Sequence, residues 1–321
     1  MAPDIKKLAI GVDIGGTNTK FGLVTCDGKI VAKGQIRTDE FDTPETFIEA
    51  LYNEISKHTT AYSDSEILGI GIGAPNANFY TGVIDKAPNL PWPGVIPFSE
   101  LVEKKFGLNS CITNDANAAA LGEMLFGAAK GMKNFIMITL GTGVGSGIVA
   151  NGELVYGHDG NAGELGHTIV KPGGRKHWNT GSKGSLEAYA SATGISITAK
   201  KMRAEHPSSL LNRYDEHEIN SKTVYDCAIE DDEVAIEVFR YTGQILGQAL
   251  ANFVMFSSPE AIFLFGGVIK AGELIRKPTL LHMEKNLLPV FKTKTKLIFS
   301  ELDEADAAIL GASALIWKKF S

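Results

Sequence analysis

Two glycine- and threonine-rich turns, each directly after an apolar strand, have the composition of phosphate-binding turns. The first contains Gly15, Gly16 and Thr17, and the second contains Thr142 and Gly143. Glycine has no Cβ, so the backbone N–H groups of such turns can approach an anion closely. Each turn is followed by a strand, a polar-glycine turn and a further strand, so one local pattern occurs twice. The repeat predicts a pair of hairpins that bind the phosphates of one nucleotide.

Asp13 ends the first strand just before this turn, and Asn18 and Lys20 follow the turn. A carboxylate in that position is suited to holding a hydrated magnesium ion beside phosphates. The simpler alternative, an ordinary hairpin turn, loses weight because the pattern is repeated. The Walker A motif is missing, since the one Gly-Lys pair, at residue 28, is followed by isoleucine. We therefore expect these residues to bind Mg-ATP through a different kind of turn.

A second carboxylate, Asp115, follows a short strand together with Asn114 and opens an alanine-rich helix. Either residue could simply cap that helix. Alternatively, a carboxylate at a strand end could accept the proton of an alcohol while Asn114 binds a neighbouring hydroxyl. Asp115 is therefore the candidate general base.

Glu164 and His167 lie three residues apart in a glycine-rich loop, and Glu187 begins a later helix. Carboxylates and imidazoles form hydrogen bonds with the hydroxyl groups of neutral polyols. The alternatives are that Glu187 is an ordinary acidic residue in the first turn of a helix and that His167 is a loop histidine with local partners. With the turns above, these residues favour phosphoryl transfer to a polyol.

The composition limits the class of partner. A length of 321 residues with 44% hydrophobic content suggests about two domains. A net charge of -6 without a basic run argues against nucleic acid or an anionic membrane as the main partner. The apolar stretches fall short of the roughly 20 residues that span a bilayer, and the start does not resemble a signal peptide. The three widely spaced cysteines form neither a disulfide framework nor a metal knuckle. We expect a cytoplasmic protein with small-molecule ligands.

Hydrophobic periodicity predicts the elements that position these residues. Strands are expected at 8–12, 67–73, 111–113, 135–140 and 261–265, and helices at 44–57, 99–106, 115–129, 233–256 and 306–320. The proline-rich segment 76–97 is expected to be an ordered loop or set of turns. The order of elements predicts an α/β protein with a small N-terminal lobe, 1–120, joined by the terminal helix 306–321, and a larger lobe, 121–305.

Seven segments in this order resemble the sugar-kinase branch of the ROK family (repressors, open reading frames and kinases), within the actin-like, hexokinase-type ATPase superfamily. They cover nearly the whole chain and are Asp13 to Thr17, Ala87 to Trp92, Asn114 to Ala118, Leu140 to Gly145, Gly163 to His167, Leu186-Glu187 and Phe265 to Gly267. The resemblance implies an α/β fold with two ribonuclease-H-like lobes, the actin-like ATPase fold, flanking a central cleft.

The resemblance also implies the role of each residue, with Asp115 as the base on the sugar 6-hydroxyl. The implied sugar contacts are Gly73, Ala74, Pro75, Asn89, Asn114, Asp115, Glu164, His167 and Glu187. The implied ATP contacts are Asp13, Gly15, Gly16, Thr17, Asn18, Lys20, Thr142, Gly143, Gly266 and Gly267. Asp13 would hold Mg²⁺ through water, because magnesium keeps much of its hydration shell.

One departure from the family concerns zinc. Kinases of this family often carry a structural zinc on three cysteines and the histidine that corresponds to His167. In this chain Trp178, Thr180 and Ser185 occupy the cysteine positions. Because a structural zinc needs about four nitrogen or sulfur ligands, we predict no zinc, even with His177 nearby. Packing and hydrogen bonds are then expected to hold the loop 172–185.

The predicted function is ATP-dependent phosphorylation of the 6-hydroxyl of a hexose, with glucose as the first choice (a glucokinase). N-acetylglucosamine, N-acetylmannosamine, mannose and fructose stay open as substrates, and polyphosphate as the donor. A repressor is disfavoured, because family repressors carry an N-terminal helix-turn-helix and only seven residues precede Leu8. A non-catalytic sugar-binding regulator is the remaining alternative. The resemblance implies a homodimer.

Overall fold

The structure is a computed structural model that describes residues 6–320, the side chains of residues 304 and 305 excepted. Within these residues the chain divides into two compact units. Unit 1 contains the chain up to Met132, Gly147–Ala162 and the chain from Glu301 on, and unit 2 contains Lys133–Ser146 and Gly163–Ser300. Residues 120 and 121, where the sequence-based division lies, fall within a helix that begins at Asp115. The observed division comes after that helix.

The first half of the chain has the elements β1 (Lys7–Ile14), β2 (Asn18–Val24), β3 (Ile30–Arg37), α1 (Pro44–Thr59), β4 (Glu66–Gly73), β5 (Ile84–Asp85), β6 (Val95–Ile96), α2 (Phe98–Phe106), β7 (Ser110–Thr113) and α3 (Asp115–Phe126). The second half has β8 (Phe135–Leu140), β9 (Val144–Ala150), β10 (Glu153–Leu154), α4 (Glu187–Ala190), α5 (Ala192–Arg203), α6 (Ser221–Ile229), α7 (Glu233–Ser257), β11 (Ala261–Phe265), α8 (Glu273–Asn286), β12 (Lys296–Phe299) and α9 (Glu304–Trp317). Short 3-10 turns lie between several of these elements.

The first sheet has the strand order β3-β2-β1-β4-β7. Strands β1, β2 and β3 form an antiparallel meander, and β4 and β7 extend it in parallel to β1. Both faces of β1 are buried, since the consecutive residues Leu8, Ala9 and Ile10 are all buried, and β1 is almost continuously apolar, as is typical of strands covered on both faces. The carboxyl ends of β1, β4 and β7 therefore lie side by side at one edge.

Helix α9 completes the core of unit 1 by packing directly on this sheet. A Cβ added to Gly11 of β1 would lie 2.1 Å from the carbonyl oxygen of Ile309, and one added to Gly71 of β4 would lie 1.8 Å from that of Ala312. Both distances are far below van der Waals contact. Only glycine allows the helix backbone to lie this close to the two strands, which holds β1 and β4 in position behind the site.

The second sheet repeats the topology of the first, with the order β10-β9-β8-β11-β12. Strand β11 pairs in parallel with both β8 and β12, and β9 pairs with β10 in antiparallel orientation. In unit 2 the long helix α7 packs closely on α8, because Gly243 and Gly247 of α7 leave room for Pro278 and Thr279. The α/β class with two ribonuclease-H-like sheets is confirmed.

Several boundaries differ from the sequence-based prediction for identifiable reasons. Helix α3 ends at Phe126, because Gly127 takes an extended conformation and caps it. The helical region after Leu186 is broken at Ser191, whose extended backbone ends α4 and caps α5. The segment 76–97 contains a small hairpin formed by β5 and β6. Strand β12 has no predicted counterpart, since it is only partly buried and lacks a continuous apolar run.

No helix among the described residues is both long enough and apolar enough to cross a membrane.

Candidate active site

In unit 1, Asp13, Gly73 and Asp115 come together at the carboxyl ends of adjacent strands. Asp13 lies opposite Gly73 in the β1–β4 pair, and Gly73 lies opposite Thr113 in the β4–β7 pair. Asp115 begins α3 two residues after Thr113. A Cβ placed on Gly73 would lie 4.0 Å from Asp13 Oδ1 and 4.0 Å from the Asp115 Cα. Gly73 therefore lies between the two acidic residues, at the edge where parallel sheets bind ligands.

The surroundings of this pair change its proton affinity. Burial raises the pKa of Asp13 to about 6; the negative charge of Asp115 adds to the rise, and Lys20 opposes it. Burial also raises the pKa of Asp115, against the stabilising backbone N–H of Ala116. Asp115 nevertheless keeps access to solvent, so water offsets part of that penalty. Carboxyl groups with raised pKa values beside one another are typical of functional sites.

Asn114 has a structural role at the start of α3. Its Oδ1 accepts a hydrogen bond from the backbone N–H of Asn117 at 2.7 Å, so the capping alternative is correct for Asn114. Asp115 Oδ1 accepts from the N–H of Ala116 at 2.9 Å. A sugar contact by Asn114 would therefore use the donor side of its amide, Nδ2.

The first glycine turn joins β1 to β2 beside Asp13. The N–H of Gly15 donates to the carbonyl of Asn18 at 3.0 Å, which closes the turn. Thr17 and Asn18 are exposed at its tip. Lys20 is the cross-strand partner of Asp13 in the β1–β2 ladder. The structure thus brings the predicted nucleotide residues of unit 1 to one turn next to Asp13.

The predicted sugar-binding segments of unit 1 lie next to this turn. A Cβ on Gly16 would lie 2.4 Å from the carbonyl oxygen of Asn89, so the loop that carries Asn89 packs directly on the glycine turn. Ala74 is buried, and its N–H donates to the carbonyl of Thr113 at 3.0 Å. Pro75 follows it and is partly exposed. The turn after β4 is thereby fixed to the strand that precedes Asp115.

In unit 2, the second glycine turn and the segment Gly266-Gly267 are neighbours. Residues 142–143 join β8 to β9, and the N–H of Gly141 donates to the carbonyl of Gly143 at 3.0 Å. Gly266-Gly267 directly follows β11, the parallel neighbour of β8. Gly266 has a φ of 102°, and a Cβ there would lie 2.7 Å from the carbonyl oxygen of Leu140. Both predicted nucleotide segments therefore meet at one sheet edge.

Glu187 lies against the same turn. Its Oε2 accepts a hydrogen bond from the backbone N–H of Val144 at 2.6 Å. A Cβ on Gly143 would lie only 2.4 Å from Oε2. The carboxylate predicted to bind sugar is thus also a support for the turn predicted to bind phosphate.

Glu164 and His167 are exposed on a short 3-10 turn, with 3.8 Å between Glu164 Oε2 and His167 Nε2. Ser146 holds this turn, because its hydroxyl donates to the carbonyl of Gly163 and accepts from the N–H of Leu165. The rings of His167 and His177 pack in a T-shaped arrangement, with centroids 5.8 Å apart. His177 is in turn hydrogen-bonded to Glu187. The three predicted sugar residues of unit 2 therefore belong to one cluster.

Arg175 fastens the loop 172–185 to the helices that follow it. One guanidinium nitrogen donates to the carbonyls of Ala188 and Gly194 at 2.6 and 2.9 Å, and the other donates to Thr198 Oγ1 at 2.8 Å. The guanidinium carbon lies 4.8 Å from the centroid of the Tyr189 ring. The prediction that hydrogen bonds and packing hold this loop is confirmed.

The three residues at the cysteine positions have separate environments. Trp178 stacks on His177, the Thr180 hydroxyl is hydrogen-bonded to that of Ser182, and Ser185 is buried. Among the described residues, no group of three or more His, Cys, Asp or Glu side chains is placed to hold a metal ion. The absence of zinc stays a prediction.

The buried hydroxyl of Ser185 has no hydrogen-bond partner in the described part of the chain. We expect Ser185→Ala to raise the free energy of unfolding by up to about 1 kcal/mol, because it removes an unsatisfied buried polar group. Ser191→Ala is the matched control: Ser191 is equally buried, but its hydroxyl caps α5 by accepting from Gly194. That change should lower the free energy of unfolding by about 1 kcal/mol. Denaturant unfolding of both variants measures the two changes in the free energy of unfolding. A lower free energy of unfolding in Ser185→Ala would contradict the prediction for that residue.

Two residues that support this region were not identified from sequence: Arg175, which anchors the loop 172–185, and His177, the partner of Glu187. The available signal was indirect. A loop without the cysteines that the resemblance implies needs another attachment, and Arg175 and His177 are polar residues near those positions. Sequence reasoning considered His177 only as a possible zinc ligand.

The repeated sheet, with acidic and glycine-rich segments at its strand ends, defines the class of protein: the structure has the actin-like ATPase fold. A family model described as "ROK family" matches residues 9–319. The chain belongs to the ROK family.

Three similar proteins cover almost the whole chain. A glucokinase from Halalkalibacterium halodurans is 39% identical over 312 residues, which are 96% of this chain and 94% of that protein. A glucokinase from Thermotoga maritima is 34% identical over 311 residues, which are 96% of each chain. The crystal structure of a ROK family glucokinase from Streptomyces griseus in complex with glucose and AMPPNP has a TM-score of 0.78 and 32% identity, covering 96% of this chain and 98% of that one.

Proposed function

We propose that this chain is an ATP-dependent kinase that phosphorylates the 6-hydroxyl of a hexose, and that the hexose is glucose. The observation that carries the proposal is the placement of Asp115 beside Gly73 and Asp13. Relatives of matching length that are described as glucokinases support it. Phosphoryl transfer depends on positioning and charge neutralisation more than on covalent catalysis, and amide-rich turns with a nearby carboxylate suit that requirement.

Asp115 is proposed as the general base. Its carboxylate accepts the proton of the attacking sugar hydroxyl as the new O–P bond forms, while the bond between the γ-phosphorus and the bridging oxygen of ATP breaks and ADP leaves. The raised pKa of Asp115 follows from burial, and it increases the proton affinity of the ionised form. The N-terminus of α3 favours the charged form of this carboxylate, opposing the effect of burial.

The remaining assignments divide between the units. In unit 1, the Gly73 to Pro75 turn, Asn89 and Asn114 contact the sugar. In unit 2, Glu164, His167 and Glu187 accept hydrogen bonds from sugar hydroxyls.

The proposed ATP contacts are amide-rich turns within each unit. Residues 15–18 with Lys20 are the unit 1 part, and residues 142–143 with Gly266-Gly267 are the unit 2 part. The closed turn at Gly15 and the exposed residues at its tip support this assignment, because free N–H groups near glycine can approach phosphate oxygens.

The residues around Asp13 fit a hydrated magnesium ion. Magnesium keeps several waters and often needs only one or two carboxylates besides the substrate phosphates. Asp13 is a partly buried carboxylate with a raised pKa of about 6, so a nearby cation would favour its charged form. Asp13 is proposed to hold the ion through water. When bound, magnesium would neutralise phosphate charge.

We expect Gly143→Ala to raise the KM for ATP and for glucose by about 3- to 10-fold. The new methyl group would overlap Glu187 Oε2, so the side chain must shift and its hydrogen bond to Val144 weakens. Gly141→Ala is the control, since a Cβ there has no neighbour within 4 Å. Initial rates over a matrix of both substrates measure the change. Equal KM values in the two variants would contradict the argument.

The proposed function is tested by ADP release with Mg-ATP against glucose, mannose, fructose, N-acetylglucosamine and N-acetylmannosamine. Glucose is expected to have the highest kcat/KM, and its product should be oxidised by a glucose-6-phosphate dehydrogenase. The matched control, 6-deoxyglucose, lacks the acceptor oxygen and should release no ADP. Turnover with an N-acetylated sugar alone would overturn the choice of glucose. If no sugar stimulated ADP release, the assignment as a sugar kinase would be overturned.

The homodimer and the cytoplasmic location stay predictions. Native mass and a tagged chain in cells would test them.

A further inference from the structure

We infer that His177 is a positioning residue for sugar binding: it holds the Glu187 carboxylate in the orientation that accepts the sugar hydroxyls. The inference deepens the proposed function and rests on it. The interaction lies wholly within unit 2 and joins the loop 172–185 to the start of α4. His177 Nε2 and Glu187 Oε1 are 2.5 Å apart.

The hydrogen bonds of His177 determine which ring nitrogen carries the proton. Nδ1 accepts from the backbone N–H groups of Asn179 and Thr180 at 3.2 and 3.1 Å. A nitrogen that accepts cannot also carry a hydrogen, so in the neutral ring the hydrogen is on Nε2. Nε2–H therefore donates to Glu187 Oε1, and the carboxylate accepts. The tautomer with its hydrogen on Nε2 is therefore the one that can donate to the Glu187 carboxylate.

Glu187 is held at both oxygens. Oε1 accepts from His177 and Oε2 accepts from the N–H of Val144. Two bonds from opposite partners stop the carboxylate from rotating about its last side-chain torsion. Each carboxylate oxygen can accept about two hydrogen bonds, so capacity remains for sugar hydroxyls. A pre-oriented acceptor binds more tightly because less conformational entropy is lost on binding.

His177 is itself rigid. The side chain is 1% exposed, its backbone N–H donates to the carbonyl of Ser182 at 2.8 Å, and Trp178 stacks on the ring with centroids 4.2 Å apart. The His167 ring packs on it as well, in a T-shaped arrangement. A supporting side chain that cannot move transmits its position to the residue it holds. In this chain the loop thus reaches Glu187 through a hydrogen bond.

The same loop offers a matched control in Arg175. Arg175 anchors the loop to Ala188, Gly194 and Thr198 but is not hydrogen-bonded to Glu187. Loss of Arg175 should therefore loosen the loop while Glu187 keeps both partners. If His177 acted only by stabilising the loop, losing Arg175 and losing His177 would have similar kinetic effects.

Two substitutions distinguish the contribution of Nε2 of His177 from that of Nδ1. His177→Gln can place an amide N–H near the position of Nε2 and keep a donor to Glu187, whereas His177→Asn can replace only the Nδ1 side. We expect the glucose KM to rise about 10- to 100-fold in His177→Asn, the loss for a hydrogen bond to a charged group. His177→Gln should stay within about threefold of wild type. Both variants lose packing, so a lower Tm in both is expected and does not discriminate.

Arg175→Met completes the set: it should lower Tm and leave the glucose KM within about twofold. Equal KM values in His177→Gln and His177→Asn, or an equal rise in Arg175→Met, would overturn the inference and leave only a loop-stabilising role. Wild-type turnover is the reference for the proposed function, since its absence would refute the kinase rather than the role of His177.

A second measurement does not depend on turnover or on any His177 variant folding. ¹⁵N shifts of labelled histidine should show His177 protonated at Nε2 in the wild type. The Nε2–H proton resonance should move upfield or broaden in Glu187→Gln, because the charged acceptor is lost. Protonation at Nδ1, or an unchanged resonance in Glu187→Gln, would overturn the hydrogen bond on which the inference rests.

Discussion

Asp115→Asn is expected to lower kcat for glucose phosphorylation by about 10²- to 10⁴-fold, the usual contribution of a positioned general base. Asparagine has nearly the same shape and can still accept the hydrogen bond from Ala116 that Asp115 Oδ1 accepts now. The start of α3 should therefore keep its structure, and the KM for both substrates should change little. Steady-state kinetics with Mg-ATP and glucose measures the loss.

Asn114→Ser is the control for that experiment. Serine also caps helices well, so it can replace the bond from Asn114 to the N–H of Asn117 but removes the amide donor. The expected effect is a higher glucose KM with kcat largely retained. A variant Asp115→Asn that keeps more than about a tenth of the wild-type kcat would show that Asp115 is not the base.

Asp13→Asn is expected to make the protein more stable and less active. The folded pKa of Asp13 is about 6, against 3.8 for the ordinary side chain. A carboxylate whose pKa is raised on folding destabilises the fold once it ionises, because the folded state holds the proton more tightly. The variant removes this cost, by up to about 3 kcal/mol at neutral pH, since each pKa unit corresponds to about 1.4 kcal/mol.

The sign of the pH dependence follows from the same shift. Stability associated with protonated Asp13 is fully present below pH 3.8 and is lost as the pH rises to about 6. The free energy of unfolding of Asp13→Asn should therefore exceed that of the wild type by about 1 kcal/mol at pH 4.5 and by about 3 kcal/mol at pH 7.5. Denaturant unfolding at the two pH values measures it. A constant or shrinking difference would contradict the raised pKa.

Asp27→Asn serves as the opposite case in the same unit. The pKa of Asp27 is lowered, chiefly by the hydrogen bond from the Thr25 hydroxyl, so its charged form favours the fold at neutral pH. This substitution should slightly destabilise the protein at pH 7.5 and less so at low pH.

For activity, Asp13→Asn should lower kcat/KM for ATP about 10- to 100-fold, as for other residues that orient a metal through its ligands. Full activity would exclude the proposed magnesium role.

Local patterns were sufficient for much of the fold. The strand 8–12, the turn at Gly15 and the repeat at Gly143 were all predicted from the sequence. Apolar runs, hydrophobic periodicity and the placement of glycines are local properties. Strand β12 and the hairpin of β5 and β6 were not, since each is too short or too exposed to carry a periodic signal. The break between α4 and α5 was not predicted either, because it depends on the helix cap that Ser191 forms rather than on hydrophobicity.

The sequence proposed candidate site residues one at a time but not the contacts among them. Asp13, Asp115 and Glu187 were each proposed from residue type and position. Their pairwise relations were not, because Gly73 separates Asp13 from Asp115 only through strand register. The contact of Glu187 with the second glycine turn was likewise not predicted, since its hydrogen bond to Val144 joins residues 43 positions apart.

The amino-acid sequence by itself determined which chemical groups are available, because the acidic residues, the glycine turns and the α/β class are all properties of residue type and local spacing. Tertiary structure alone decided how these groups act on one another. Burial raised the pKa of Asp13 beside Asp115, and folding of the loop 172–185 brought His177 against Glu187. Electrostatic energies and hydrogen bonds depend on distance and dielectric surroundings, and only the packed chain sets these.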